Sequence, residues 1–188
     1  VLSGIFGFLT LLEYPILLTM STIVITGNLG NAAVAGTVLS IMTVAGMVSG
    51  AIFGTVFKAL NKLTVPVSLL GTALGFGIVV YANSLVLLMV GSAIIGICYS
   101  FVMPTFMIDV GALVPPAATA KAISAVFVAI NVGGFVSTFY MSALVKVTGQ
   151  TSPRFPIMVS MICFLVVAVL YGAYRLKSSK NTTPSATA

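Results

Sequence analysis

Carboxyl side chains are scarce in this 188-residue sequence, which contains only two of them, Glu13 and Asp109. It has no histidine, and its two cysteines, Cys98 and Cys163, both lie within apolar runs. These facts exclude most zinc sites and the Ser-His and Cys-His nucleophile pairs. With a single acid deep inside an apolar segment, a protease that uses two aspartates cannot be assembled either. We therefore expect a protein that is not an enzyme and that needs neither a metal nor another cofactor.

The composition indicates that lipid is the solvent for much of the chain. Hydrophobic residues make up 60% and charged residues only 5%, with a mean hydropathy of +1.24, whereas soluble domains carry about 25% charged residues. The net charge of +6 comes from eight Lys and Arg against two acids. Because these cations are sparse and separate the apolar runs, they are typical of cytoplasmic loops, and we do not expect nucleic acid as a partner.

Six apolar segments predict an all-α membrane protein with six transmembrane helices. Most contain 20–25 residues and one contains 18, and at 1.5 Å per residue most can cross a hydrocarbon core of about 30 Å. The runs do not alternate in polarity, which excludes the strands of a barrel. The segments are Leu2–Ile25, Ala33–Phe57, Val65–Ala82, Leu85–Ile108, Ala122–Val145 and Phe155–Tyr174.

The domain organisation follows from these segments. We expect one six-helix bundle over residues 1–176, followed by a polar tail over residues 177–188 that is rich in Ser and Thr and is predicted to be disordered. Within the bundle, Pro104 and the pair Gly133-Gly134 are candidate flexible points in helices four and five.

The distribution of cations predicts the orientation of the chain. Six cations fall on one side of the membrane in the predicted topology and two, Lys146 and Arg154, fall on the other. Cytoplasmic loops carry the excess of Lys and Arg, so both termini are predicted to be cytoplasmic. The six are Lys58, Lys62, Lys121, Arg175, Lys177 and Lys180.

Glu13 is the acid whose position is most informative. It lies eleven residues after Leu2, or about 16 Å along a helix, near the middle of the membrane. Inserting an acid there costs about 2.5–3.5 kcal/mol, so its side chain should face protein or a water-filled cavity. Such acids are usually functional, and we expect Glu13 to bind a proton or a cationic group. The alternative is a protonated Glu13 that only makes a hydrogen bond to a neighbouring helix.

Polar side chains also recur on single faces of several helices. One face of helix five carries Ser124, Asn131, Thr138 and Ser142. One face of helix four carries Ser92, Gly96, Tyr99 and Met103. One face of helix two carries Ser40, Thr43 and Met47. We expect helices one, two, four and five to line a central cavity and helices three and six to face lipid. The alternative is interhelical hydrogen bonding, worth about 0.6 kcal/mol each. The candidate substrate- or proton-binding residues are Glu13, Asn131, Tyr99, Thr10, Ser92 and Thr138.

The connection between helices two and three resembles a loop motif of the major facilitator superfamily. The stretch from Gly54 to Lys62 is similar to Gly-x-x-x-Asp-x-x-Gly-Arg, with Gly54 and the basic Lys62 matching. Lys58 replaces the acid and Asn61 replaces the second glycine. The resemblance implies a gating role for Gly54, Lys58 and Lys62. Asp109, at the predicted cytoplasmic end of helix four, is expected to join them through an ion pair with Lys58 or Lys121.

Further residues resemble the same family on other helices. Gly96, four residues after Ser92, matches the glycine of an Arg-x-x-x-Gly pattern, although the arginine is missing, and the stretch from Asn131 to Ser137 is similar to the fifth helix of the family's second half in bacterial members. The resemblance implies helices seven to twelve of a twelve-helix carrier, built from two inverted three-helix repeats at about residues 1–82 and 83–176.

The resemblance also implies a function and its partners. The chain would be the C-terminal half of a symporter or antiporter that works by alternating access in the bacterial cytoplasmic membrane. Its partners would be the N-terminal six-helix half, the lipid bilayer, a small-molecule substrate and protons. The missing Met before Val1 agrees with an expected upstream half. The alternative is a self-contained six-helix channel or transporter subunit that acts as a homo-oligomer, although the sequence has neither Asn-Pro-Ala nor Gly-Tyr-Gly.

Overall fold

A computed structural model describes the backbone of residues 2–180 and the side chains of residues 3–61 and 63–173. Within that part the chain is helical and contains no strand. Six helical spans are long and apolar enough to cross a membrane, and the fourth, Leu85–Leu113, consists of two helices. The predicted fold class is therefore confirmed. The helices are α1 (Leu2–Thr26), α2 (Ala32–Leu60), α3 (Thr64–Tyr81), α4 (Leu85–Tyr99), α5 (Val102–Leu113), α6 (Thr119–Thr148) and α7 (Phe155–Lys180).

Short polar residues set the ends of these helices. The side chain of Asn31 accepts a hydrogen bond from the Val34 N–H at 3.1 Å and begins α2, and Ser84 does the same for α4. Gly149, with a φ of 68°, ends α6. At the other end of the chain, α7 continues to Lys180, so the first residues assigned to the polar tail are helical. Residues 181–188 of that predicted tail lie outside the described part.

The helices pack in pairs that relate the two halves of the chain. α1 packs along α6, α2 packs along α4, and α3 lies between α4 and α7. The first three membrane spans can be exchanged in order with the last three. This exchange turns the α1–α6 pair into the α4–α2 pair, and it turns the α3–α7 pair into itself. The extensive contact of α3 with α4 has only a weaker counterpart in the contact of α1 with α7, and the inverted repeats stay a prediction.

The third span is more enclosed than the sequence indicates. α3 has 18 residues and shows outward-facing side chains at Val67, Leu70 and Leu74, as expected for a helix beside lipid. Most of its other residues are buried, chiefly against α4 and α7, although Tyr81 at its end is exposed. By contrast, α2 and α6 are largely exposed. The expectation that helix three mainly faces lipid is therefore only partly right.

Glycines allow the paired helices to approach closely. A Cβ at Gly133 of α6 would overlap the carbonyl oxygen of Gly7 in α1, and one at Gly96 of α4 would overlap that of Met42 in α2. Gly134 lies against the ring of Tyr14. The pair Gly133-Gly134, which the sequence offered as a flexible point, thus forms the contact between α6 and α1.

The fourth span is interrupted near mid-membrane. After Tyr99, the Phe101 N–H donates to the Cys98 carbonyl at 3.3 Å, so the Ile97 carbonyl loses its usual donor within the helix. That carbonyl instead accepts a hydrogen bond from the Ser49 hydroxyl of α2 at 2.7 Å. Pro104 follows the interruption and lacks the N–H that would otherwise bond the Ser100 carbonyl. The side chain of a neighbouring helix thereby stabilises the break.

Candidate functional site

A cleft of about 350 Å³ lies where α1, α2 and α4 meet. It opens toward the exposed face of α2, where Met47 is 72% exposed. The residues that line it are Glu13, Met42, Thr43, Gly46, Met47, Gly96, Tyr99 and Ser100. As far as the structure describes the chain, none of them is basic.

Glu13 and Tyr99 place the cleft near the middle of the membrane. Glu13 is the twelfth of the 25 residues of α1, and Tyr99 is the fifteenth of the 29 residues of the span Leu85–Leu113. Glu13 is only 6% exposed. Within the described part of the chain, no hydrogen bond or ion pair holds its carboxyl group. The cleft thus contains a buried acid that has no partner among the residues that the structure describes.

Tyr99 is fixed beside this acid by contacts with two helices. Its hydroxyl oxygen lies 3.4 Å from the hydroxyl oxygen of Thr10 in α1, and its ring meets the ring of Phe164 in α7 edge to face at 6.1 Å. Tyr99 is also close enough to Glu13 for the two side chains to interact electrostatically. Thr10 is buried behind the cleft and donates to the Phe6 carbonyl at 2.9 Å, so it supports Tyr99 rather than lining the cleft.

The last turn of α4 forms one wall of the same cleft. Gly96, Tyr99 and Ser100 all belong to this turn or follow it directly. The C-terminal end of a helix carries a partial negative charge, equivalent to about half an elementary charge. Because α5 begins at Val102 with the opposite, positive end of its own dipole, the break adds to the site of Glu13 only the Ser100 carbonyl oxygen, whose helical donor Pro104 removes.

The remaining predicted binding residues lie away from the cleft. Ser92 is fully buried in α4, and its hydroxyl has no hydrogen-bond partner in the described part of the chain. Asn131 is exposed on α6 and donates to the Phe127 carbonyl of its own helix at 2.7 Å. Thr138 is exposed on the same helix. The structure thus brings Glu13, Tyr99 and Thr10 together, and it places Asn131 and Thr138 on a separate exposed face.

Besides Gly46, two further cleft residues of α2 and the end of α4, Met42 and Ser100, do not belong to the predicted polar stripes. Met42 reaches the cleft because its backbone packs directly against Gly96. Ser100 lines the cleft because α4 ends immediately before it. The glycines Gly46 and Gly96 are the sequence signal that could have located both, since small residues mark where two helices touch.

The predicted gating loop is short and helical. α2 extends past Gly54 and Lys58, both exposed, and a 3-10 turn over Asn61–Leu63 leads directly into α3. Asn61, where the motif has its second glycine, has a φ of 45°, in the left-handed region that glycine adopts most readily. The side chain of Lys62 lies outside the described part. Asp109 is half-buried on α5, and its ion pair with Lys58 or Lys121 stays a prediction.

Comparison with known families gives one match. The sequence profile of the Major Facilitator Superfamily matches residues 3–188, nearly the whole chain. No curated protein matches the chain.

Proposed function

We propose that the chain, which belongs to the major facilitator superfamily, is one six-helix half of a secondary carrier. The complete carrier moves a small solute by alternating access. Its general role as a membrane transporter follows from the family. The proposal adds that the cleft around Glu13 is part of the site where solute and coupling proton bind. The observation that carries it is a mid-membrane carboxyl group that lines a cleft and has no partner among the described residues.

The exposed faces of α2 and α6 support a second bundle opposite this one. The polar stripe of α6 is exposed, and the amide of Asn131 uses only one of its donors within its own helix. Exposure of such groups to lipid is costly, whereas a water-filled cavity between two bundles satisfies them. This arrangement places the substrate between two halves that rock against each other. The stripe consists of Ser124, Asn131, Thr138 and Ser142.

Glu13 is suited to coupling because it can change charge as the cavity opens. A dry, closed cleft disfavours the ionised carboxyl group, and water admitted from one side favours it. A carboxyl group that takes up a proton in one state and releases it in another links a proton gradient to solute movement. The hydroxyl of Tyr99 lies beside it, where a bound solute would also make contact.

Reconstitution into proteoliposomes tests the proposal. Solute accumulation by the complete carrier should depend on a pH gradient, and Glu13→Gln should abolish accumulation while leaving membrane insertion intact. Glu13→Asp, which keeps the charge, is the matched control and should retain part of the activity. Normal accumulation by Glu13→Gln with an unchanged pH dependence would show that Glu13 is a structural group and has no role in coupling.

The 188-residue chain by itself provides a second test. One bundle offers only one wall of the cavity, so we expect no uptake by the purified chain alone. Uptake at a rate similar to that of the complete carrier would instead support a homo-oligomer in which a second copy covers the exposed faces of α2 and α6.

A further inference from the structure

We propose that the cleft between α1, α2 and α4 binds a monovalent organic cation, with its charged group against Glu13 and its apolar body against Met42 and Met47. This inference rests on the proposed function, because it names the class of solute that the carrier moves. It is carried by the charges and by the side chains that line the cleft.

The first argument is the unbalanced charge of the site. Glu13 is 6% exposed, has no hydrogen bond or ion pair to any described group, and shares the cleft with no described basic residue. A buried carboxylate without a counter-charge is strongly destabilised. A cationic ligand supplies that counter-charge, whereas an anionic ligand would add a second negative charge.

The second argument is independent of Glu13 and comes from the backbone. α4 ends at Tyr99 in the wall of the cleft and α5 begins at Val102, so the two helix dipoles largely cancel and the carbonyl oxygens at the break carry the argument. Pro104 removes the donor that would bond the Ser100 carbonyl within a continuous helix. Ends of interrupted membrane helices are known to coordinate cations in this way. The carboxylate and the Ser100 carbonyl oxygen therefore favour the same sign of ligand charge.

The hydroxyl groups of the cleft are compatible with the same ligand. The Thr43 hydroxyl donates to the Leu39 carbonyl at 3.0 Å, which leaves its oxygen lone pairs to accept a hydrogen bond from an ammonium group. The Ser100 hydroxyl can also act as an acceptor.

The remaining wall favours an organic cation over a metal ion. Methionine side chains are flexible and polarizable, and they adapt to irregular apolar ligands, while the ring of Tyr99 can attract a cation through its π-electrons. Calcium and magnesium ions need about six oxygen ligands, but Met42, Met47, Gly46 and Gly96 occupy half of the lining positions. The volume of about 350 Å³ is also roughly ten times that of a water molecule, which suits a multi-atom ligand.

Binding of tetraphenylphosphonium to the purified 188-residue chain tests this proposal. Equilibrium dialysis in detergent should show saturable binding to the wild-type chain, and Glu13→Gln should weaken it at least tenfold. Glu13→Asp should retain measurable binding because the charge remains. Tetraphenylborate has nearly the same shape and the opposite charge, so it should show no saturable binding above that of empty micelles. Circular dichroism and gel filtration establish that each variant is folded.

Two results would overturn the proposal. The first is equal binding of tetraphenylphosphonium by the wild-type chain and Glu13→Gln, and the second is saturable binding of tetraphenylborate as strong as that of tetraphenylphosphonium. Transport that requires Glu13 but is unaffected by organic cations would also refute the solute class, while leaving the proposed carrier function intact. Glu13-dependent cation binding in a protein that transports nothing would support the cation site and refute the carrier function.

Discussion

The hydroxyl oxygens of Thr10 and Tyr99 lie 3.4 Å apart and join α1 to α4 one helical turn from Glu13. This contact connects the first helix of each expected three-helix repeat at the depth of the cleft. It fixes the Tyr99 hydroxyl beside the carboxyl group that we place at the centre of transport. The contact is long for an O–H···O hydrogen bond, so its contribution to stability should be small.

Removing the two hydroxyls should measure that contribution. Thr10→Val keeps the side-chain shape and Tyr99→Phe keeps the ring, so a double-mutant cycle isolates the contact. We expect a coupling free energy of about 0.5 kcal/mol, close to the average of interhelical hydrogen bonds in membranes. Reversible unfolding in mixed micelles provides the measurement. A coupling of zero would show that the two hydroxyls make no hydrogen bond in the folded protein.

The contact between α2 and α4 should not tolerate a larger residue at Gly96. A Cβ there would overlap the Met42 carbonyl oxygen, a backbone atom that cannot rotate away, so Gly96→Ala should lower the free energy of unfolding by about 2 kcal/mol or more. The matched control is Gly50→Ala on α2, where no atom lies within 4 Å of the added Cβ. That variant should unfold at the same temperature as the wild type or higher, because alanine favours helix over glycine. Equal losses in both variants would contradict the packing described here.

The turn after α2 should prefer glycine to alanine. Asn61 has a φ of 45° and a ψ of −114°, a combination that strains residues other than glycine by about 1–3 kcal/mol. Asn61→Gly should therefore raise the thermal midpoint of unfolding, whereas Asn61→Ala should leave it unchanged or lower it. Similar midpoints for the two variants would show that this residue leaves the left-handed region in the membrane.

The orientation of the chain follows from its cations, and we predict that both termini are cytoplasmic. Single cysteines at positions 62 and 83, introduced after Cys98 and Cys163 are replaced by serine, should react with an impermeant maleimide from opposite sides of the membrane. Position 62 should react only in inside-out vesicles and position 83 only in right-side-out vesicles. Labelling of both from the outside would disprove the topology, and labelling of position 62 from the outside with position 83 from the inside would reverse it.

The sequence predicts well which segments form helices and where most of these helices begin and end. A segment of about twenty apolar residues predicts a membrane-spanning helix without ambiguity. The helix ends are also local: α2 begins after Asn31, α4 begins after Ser84, and α6 ends at Gly149. The interruption at Ser100 is different. Pro104 indicates that the fourth span is weakened, but the break lies before it, where Ser49 of a different helix supplies the compensating hydrogen bond. A partner from another helix cannot be located by local sequence.

The composition of the site was only partly predictable for a related reason. Glu13 could be selected because its depth follows from residue counting, and Tyr99 because it lies on a polar face of helix four. Asn131 lies on a polar face in the same way, yet α6 turns a different face toward α1, the face that carries Gly133 and Ser137. Periodicity shows which residues share a face, but tertiary packing decides which neighbour that face meets. The polar pattern within helix five does not show that Gly7 of α1 lies opposite Gly133. That contact decides which face of α6 is turned toward α1.

The short third span has a consequence for the surrounding lipid. The 18 residues of α3 rise about 27 Å, whereas the 29 residues of α2 rise about 43 Å. Because tight connections fix both ends of α3, it cannot lengthen its apolar surface, and α2 must tilt or extend beyond the hydrocarbon. The short span therefore favours a locally thinner bilayer and shorter acyl chains next to Val67, Leu70 and Leu74. The hydrophobic length of the bundle thus differs between the flank of α3 and that of α2.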